Sequence, residues 1–275
     1  MTALTVAPIP APGSIVATLI ERQRPLAIYG LSMLTMGVVA ILAQSIDART
    51  LESGVNVWVK PAKFFVSVAV FALTAAWFVG YMRPERRRSR LVGGAAAVLI
   101  AAGSFELVYI CWQAAQGLES HFNHSTPFHD AMYGLMGLAA VLLIGTTLPL
   151  AWEIARRPAE GLQRSFVAAV VIGLVLTFLL GGGLGGYMSS QPGHSVGPVG
   201  GHVDVFGWNR LGDDLRVAHF FGIHAEQAIP LLAASIAAAP ARIRWLGLAL
   251  GTSAYCAVTL AVFFQAVGGR PLFPG

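Results

Sequence analysis

Charge is what this chain has least of. Only 11% of its 275 residues are Asp, Glu, Lys or Arg, against roughly a quarter in a soluble globular domain, while 56% are hydrophobic. With a mean hydropathy of +0.68, the composition excludes an ordinary soluble enzyme, a disordered chain and a nucleic-acid-binding domain. The net charge of +5 does not alter this, because the basic residues sit in short clusters between apolar runs. Lysine is scarce, with two residues against sixteen arginines. Cysteine is equally scarce. Cys111 and Cys256 both lie in apolar runs and form no CxxC motif, so they read as small buried side chains rather than a disulfide framework. There is no CxxCH for covalent heme, no HExxH for a zinc protease and no Gly-Lys-Ser/Thr ending for a phosphate-cradling loop. Residues 1–20 lack a basic start, which argues against a cleavable signal peptide and for a loose tail with a short interfacial helix.

What remains is apolar sequence in long runs. About 20 apolar residues cross the hydrocarbon core as a helix, and seven segments qualify: 26–44, 61–82, 91–113, 127–152, 162–188, 214–238 and 243–267. Unbroken runs of this length exclude a β-barrel. The expected fold is an all-α polytopic membrane protein with seven transmembrane helices. Residues 1–25 form the tail, 26–267 the membrane domain and 268–275 a C-terminal tail. Thr126 followed by Pro127 marks the start of the fourth helix, since a hydroxyl caps free N–H groups and proline needs none at the first position. Asp213 and Asp214 stand where the sixth begins, at the positive end of its dipole.

Arginine placement sets the expected orientation. Twelve of the eighteen Lys and Arg residues fall on one set of connections, with five between Arg83 and Arg90 alone. Positive charge stays inside, so the N-terminus is expected in the cytoplasm, the C-terminus outside, and the protein in a bacterial inner membrane. All seven histidines then fall on the outer side or in the outer half of the membrane. That asymmetry points to an outward-facing polar site.

The polar residues inside the spans are the candidates for it. Glu106, Tyr109, Gln113 and Gln116 follow at spacings of three, four and three, which places them on one face of the third helix. An ionisable group at this depth serves either a site or an interhelical hydrogen bond. Lys60, Lys63 and Ser67 share a face of the second helix. Lys60 suits snorkelling to headgroups, and Lys63 suits a charge partner inside the bundle. The loop before the fourth helix carries His121, His124 and His129 beside Asp130, residue types that ligate Zn, Cu or Fe. A Gly-rich segment with His194, His202, Asp204, Trp208 and Asp213 reads as an irregular lid, and the glycines at 181–186 read as close helix packing or a local break. In the sixth helix His219 and Glu226 share a face, followed by Gln227, while His224 points about 140° away from His219 and forms no i, i+4 clamp.

These residues predict a polar pocket lined by Lys63, Glu106, Tyr109, Gln113, His129, Asp130, His219, His224, Glu226 and Gln227. The leading expectation is a membrane oxidoreductase holding heme b or a transition metal (Fe, Cu or Zn). His129, His219 and His224 would be its cofactor ligands, with His121, His124 and Asp130 as further metal donors. Glu106, Tyr109 and Glu226 would then move protons to or from a quinone or another lipidic or small-molecule substrate. The alternatives are a metal-dependent intramembrane hydrolase, a proton-coupled transporter and a structural membrane subunit. The lipid bilayer is an expected partner; nucleic acid is not.

Overall fold

In the computed structural model, residues 12–51, 54–203 and 206–272 are described. The extreme tails, Asp204 and the side chain of His202 lie outside them. The chain divides into two compact units, one ending at Ala159 and one beginning at Glu160. Among the described residues, six helical segments are long and apolar enough to cross a membrane: Ser14–Ile46, Val59–Val79, Arg90–Gln116, Pro127–Arg156, Arg164–Ser189 and Ala241–Val267. This is the build of a multi-pass membrane protein.

Among its described residues the first unit holds five α-helices: α1 (Pro12–Ile46), α2 (Val59–Val79), α3 (Arg90–Gln116), α4 (Pro127–Gly145) and α5 (Thr147–Arg156). Helix α1 begins earlier than the first apolar run and is bent at Gln23, whose φ and ψ are not helical, two residues before Pro25. The ring of Pro25 removes an N–H and clashes with the preceding turn, which explains the bend. Arg22 holds the bend against α2. Its Nη1 donates to the Trp77 carbonyl at 2.8 Å, and its guanidinium lies 4.0 Å over the Trp77 ring. Ser89 caps α3 by accepting from the Val92 N–H, and Gly117 closes it in the left-handed conformation (φ 74°). Thr126 caps α4 through the His129 N–H with Pro127 at the first position, as the sequence predicts. Helices α4 and α5 meet at Thr146, where Thr146 and Thr147 both bond back to carbonyls three residues earlier.

The arginine cluster at 83–90 is partly structural. The Arg87 guanidinium donates to the carbonyls of Gly80 and Met82 at the end of α2, where the helix leaves carbonyls without partners. Arg86 forms a two-pronged pair with Glu153 of α5, which raises its already high pKa further.

The second unit comprises α6 (Arg164–Leu176), a five-residue π-helical turn (Thr177–Gly181), α7 (Gly182–Ser189), α8 (Leu215–Ile223), α9 (Ala225–Ser235) and α10 (Ala241–Val267). Between α7 and α8 run four two-residue strands: β1 (Ser195–Val196), β2 (His202–Val203), β3 (Trp208–Asn209) and β4 (Asp213–Asp214). They pair antiparallel as β1 with β4 and β2 with β3. The sequence suggested one continuous sixth helix over 214–238. The structure breaks it at His224, so neither half is long enough to span a membrane alone.

Asp214 organises the entry to α8. It is fully buried and caps the helix through the Arg216 N–H. Its carboxylate also accepts from Arg216 Nε (2.8 Å), Arg216 Nη2 (2.6 Å) and the Asn209 N–H (3.0 Å). Burial acts to raise its pKa, but the Arg216 guanidinium and His194 outweigh burial and hold it well below the usual carboxylate range. Its neighbour Asp213, equally buried, is pushed up by burial.

Candidate functional site

The two carboxylates predicted from the sequence fall in different units. Glu226 lies in the second, beside two helix interruptions that face each other. One is the π-helical turn between α6 and α7, where the backbone widens by one residue; such turns often mark functional positions. The other is the break at His224, whose backbone (φ −94°, ψ 8°) leaves helical geometry between α8 and α9. Pro230 stands one turn further on and cannot donate to the Glu226 carbonyl four residues back.

A membrane helix can break only where something else satisfies the freed backbone groups. Here Thr177 of the π turn serves both sides of the gap. Its hydroxyl donates to the Ile223 carbonyl at 3.3 Å and accepts from the Glu226 N–H at 3.0 Å. Tyr255 of α10 donates its hydroxyl to the Phe221 carbonyl. Glycine permits the close crossing. A Cβ at Gly222 would stand 2.8 Å from Gly181 N, and one at Gly181 would stand 2.8 Å from Ile223 Cγ2. Above and below, Gly185 lies against the His219 ring and Gly173 against Ala225 and Glu226. Of the two readings of the 181–186 glycines, close packing holds at Gly181 and Gly185, while the irregular turn lies just before them, over Thr177–Gly181.

Around the break the side chains form a directed chain. The Gln227 amide oxygen can only accept, so His224 Nδ1 is the donor to it at 3.1 Å. Gln227 Nε2 in turn donates to Glu226 Oε1 at 2.8 Å. Glu226 is 1% exposed and sits in the first turn of α9, at the positive end of that helix dipole. His219 takes another direction: its Nδ1 donates to the Gly181 carbonyl at 3.0 Å, which fixes its tautomer. His219 and His224 do not form a clamp, in agreement with their spacing.

In the first unit, Glu106, Tyr109 and Gln113 are all buried on one face of α3. Gln113 Nε2 donates to the Tyr109 hydroxyl at 2.7 Å. Tyr109 joins a cluster with Ile110 and Met136, with Phe64 and Met132 against it. Lys63 is half-buried at the fifth position of α2. Lys60 pairs with Glu119 at 3.7 Å, near the Gln116 end of α3.

The histidines of the 120–130 segment are engaged one by one. His121 Nδ1 meets Ser120 Oγ at 3.1 Å, and its ring packs on Phe64 and Tyr133. His124 Nδ1 pairs with Asp130 at 2.6 Å, both well exposed. His129 Nδ1 meets Thr126 Oγ1 at 2.9 Å and Ser125 Oγ at 3.1 Å. Among the described residues no three His, Cys, Asp or Glu side chains come together in a group that could hold a metal ion. The proposed ligands His121, His124, His129, Asp130, His219 and His224 are thus spread over separate contacts rather than gathered into one donor set. No family model, curated protein or solved structure matches the chain.

Sequence reasoning missed Thr177, Tyr255 and the Asp214–Arg216 hub. Thr177 carried no signal, because a lone threonine in an apolar run bonds back to its own helix in most cases. Pro230 was the visible clue to a broken helix.

Proposed function

We propose that this chain is a proton-coupled carrier of a bacterial inner membrane, with Glu226 as the group that takes up and releases the proton. The observation that carries this reading is a buried carboxylate at the meeting point of two interrupted helices. Carriers place their ion and substrate sites where broken helices cross near the membrane centre, because freed backbone groups and half-helix dipoles supply binding there. An intramembrane carboxylate is costly and is kept where it has work to do. The α8–α9 pair makes a seventh crossing in this reading, with the N-terminus in the cytoplasm and the C-terminus outside. Thr177 holds the two interruptions in register, and the His224–Gln227–Glu226 chain orients the carboxylate. The scattered histidines favour this over the heme or metal reading, since no convergent donor set for either stands among the described residues.

The test uses purified protein reconstituted in proteoliposomes on a solid-supported electrode. A pH step should displace charge in the wild type as protons bind. Glu226→Gln should lower the signal markedly while its elution from size exclusion stays normal, and Glu226→Asp should keep it in full. No signal from the wild type, or a full signal from Glu226→Gln, would overturn the reading.

A further inference from the structure

Two buried acceptors on α3 have no donor. Glu106 is 6% exposed and its Oε1 has no hydrogen-bond partner; Gln113 is 0% exposed and its Oε1 has none either. They lie seven residues apart on one face, about 10 Å along the helix axis at 1.5 Å per residue. Tyr109 stands between them, its hydroxyl taken by Gln113 Nε2. Buried polar atoms in native proteins are nearly always satisfied by protein or by ordered water. Turning the Gln113 amide over does not solve the problem, because the Tyr109 contact then uses the oxygen and leaves the NH₂ group bare.

The chemistry of the gap defines its occupant. Unpaired carboxylate and amide oxygens accept only, so the species between them must donate. Tyr109, between the two acceptors, packs with Ile110, Met136, Phe64 and Met132, which supply no N–H or O–H from their side chains. Beyond the Gln116 end of α3, Lys60 and Glu119 form an ion pair at 3.7 Å, one charge of each sign.

We infer that the first unit contains a water-filled proton inlet running from the Lys60–Glu119 pair past Gln113 and Tyr109 to Glu106. Waters donate to Gln113 Oε1 and Glu106 Oε1 and close both gaps. A proton entering as hydronium passes along the file and ends as an O–H bond on Glu106, leaving water behind, so charge and atoms balance without a co-reactant. The inlet lies in a different unit from Glu226 and does not depend on the carrier reading.

Pulse radiolysis of the wild-type protein in detergent tests it directly, because hydroxyl radicals generated from internal water oxidise the side chains beside it. Tyr109 and Met136, at 3% and 1% exposure, should be oxidised, whereas Met82, 0% exposed in the same unit, should be spared. Equal protection of Met136 and Met82 would overturn the inlet. A second measurement uses single cysteines in a chain with Cys111 and Cys256 replaced by alanine, with Ag⁺ as a water-sized probe. E106C and Q113C should react at least about tenfold faster than L107C and A114C, at buried positions each turned about 100° round the helix from its neighbour on the site face, because a thiol ionises only where water reaches it. Reaction of E106C and Q113C no faster than those two controls would equally overturn it.

Discussion

Adding one methyl group at Gly222 should separate the two interrupted helices of the second unit. In Gly222→Ala the new carbon would stand 2.8 Å from Gly181 N, 2.9 Å from Leu180 C and 3.0 Å from Leu180 O, where ordinary contact begins at 3.4 Å. All three neighbours are backbone, so no side chain can swing aside, and the rods must part by about 0.6 Å at the crossing. Overpacking of this kind costs roughly 1–3 kcal/mol, and the rigid partners place it at the upper end. Alanine's better helix propensity returns at most about 1 kcal/mol. The net expectation is a loss of about 1–2 kcal/mol, or roughly a 5- to 30-fold fall in the folded-to-unfolded ratio. Gly137→Ala in α4 is the control, because a Cβ there meets nothing within 4 Å and only the favourable propensity remains. Unfolding by SDS titration in mixed micelles should therefore move the two variants in opposite directions. The parting also stretches the Thr177 contacts to Ile223 and Glu226, so Gly222→Ala should lower the charge displaced by a pH step. A Gly222→Ala protein as stable as the wild type would refute the close crossing, and with it the argument that Thr177 bridges the gap.

Two further outcomes follow from other parts of the molecule. Asp214→Asn removes the negative partner of Arg216 and should cost about 3 kcal/mol, the low end for breaking a buried pair, since the Arg216 side chain keeps 28% of its exposure. The folded pKa of Asp214 lies below its unfolded value, so the native state binds fewer protons. Its contribution is complete above the ordinary aspartate value of about 3.9 and is lost as pH falls toward the folded value. Acid unfolding of the wild type below about pH 4 should flatten in Asp214→Asn, and an unchanged acid limb would contradict the hub. For orientation, Arg88→Cys in the cysteine-free background should resist a membrane-impermeant thiol reagent in intact cells and react after lysis. Labelling in intact cells would place the 83–90 cluster outside and reverse the topology.

Much of the helical framework was legible before any coordinates. Long apolar runs can only be helices in a bilayer, since each backbone group must find its partner within its own segment. The cap at Thr126 and the arginine clusters are equally local. The candidate residues Glu106, Tyr109 and Gln113 were legible as a face because helical spacing alone sets which side chains align. The mutual phase of His219 and His224 followed from the same rule.

The interruptions depended on contacts far apart in the chain. An apolar run reads as one helix whether or not it breaks, and the break at His224 is stable because Thr177, 47 positions earlier, and Tyr255, 31 positions later, take up the freed groups. Histidine clusters in sequence likewise suggested a shared ligand set, but the rings of His121, His124, His129, His219 and His224 each found a partner within their own segment or on a facing carbonyl. The sequence by itself determined a multi-pass helical protein with its charges gathered into short connecting segments, because burial and backbone satisfaction in lipid are local demands. Only the tertiary structure decided where helices yield, which carboxylate lies at the break, and which buried acceptors lack a protein donor. Those depend on neighbours brought close by packing, and no periodicity along the chain records them.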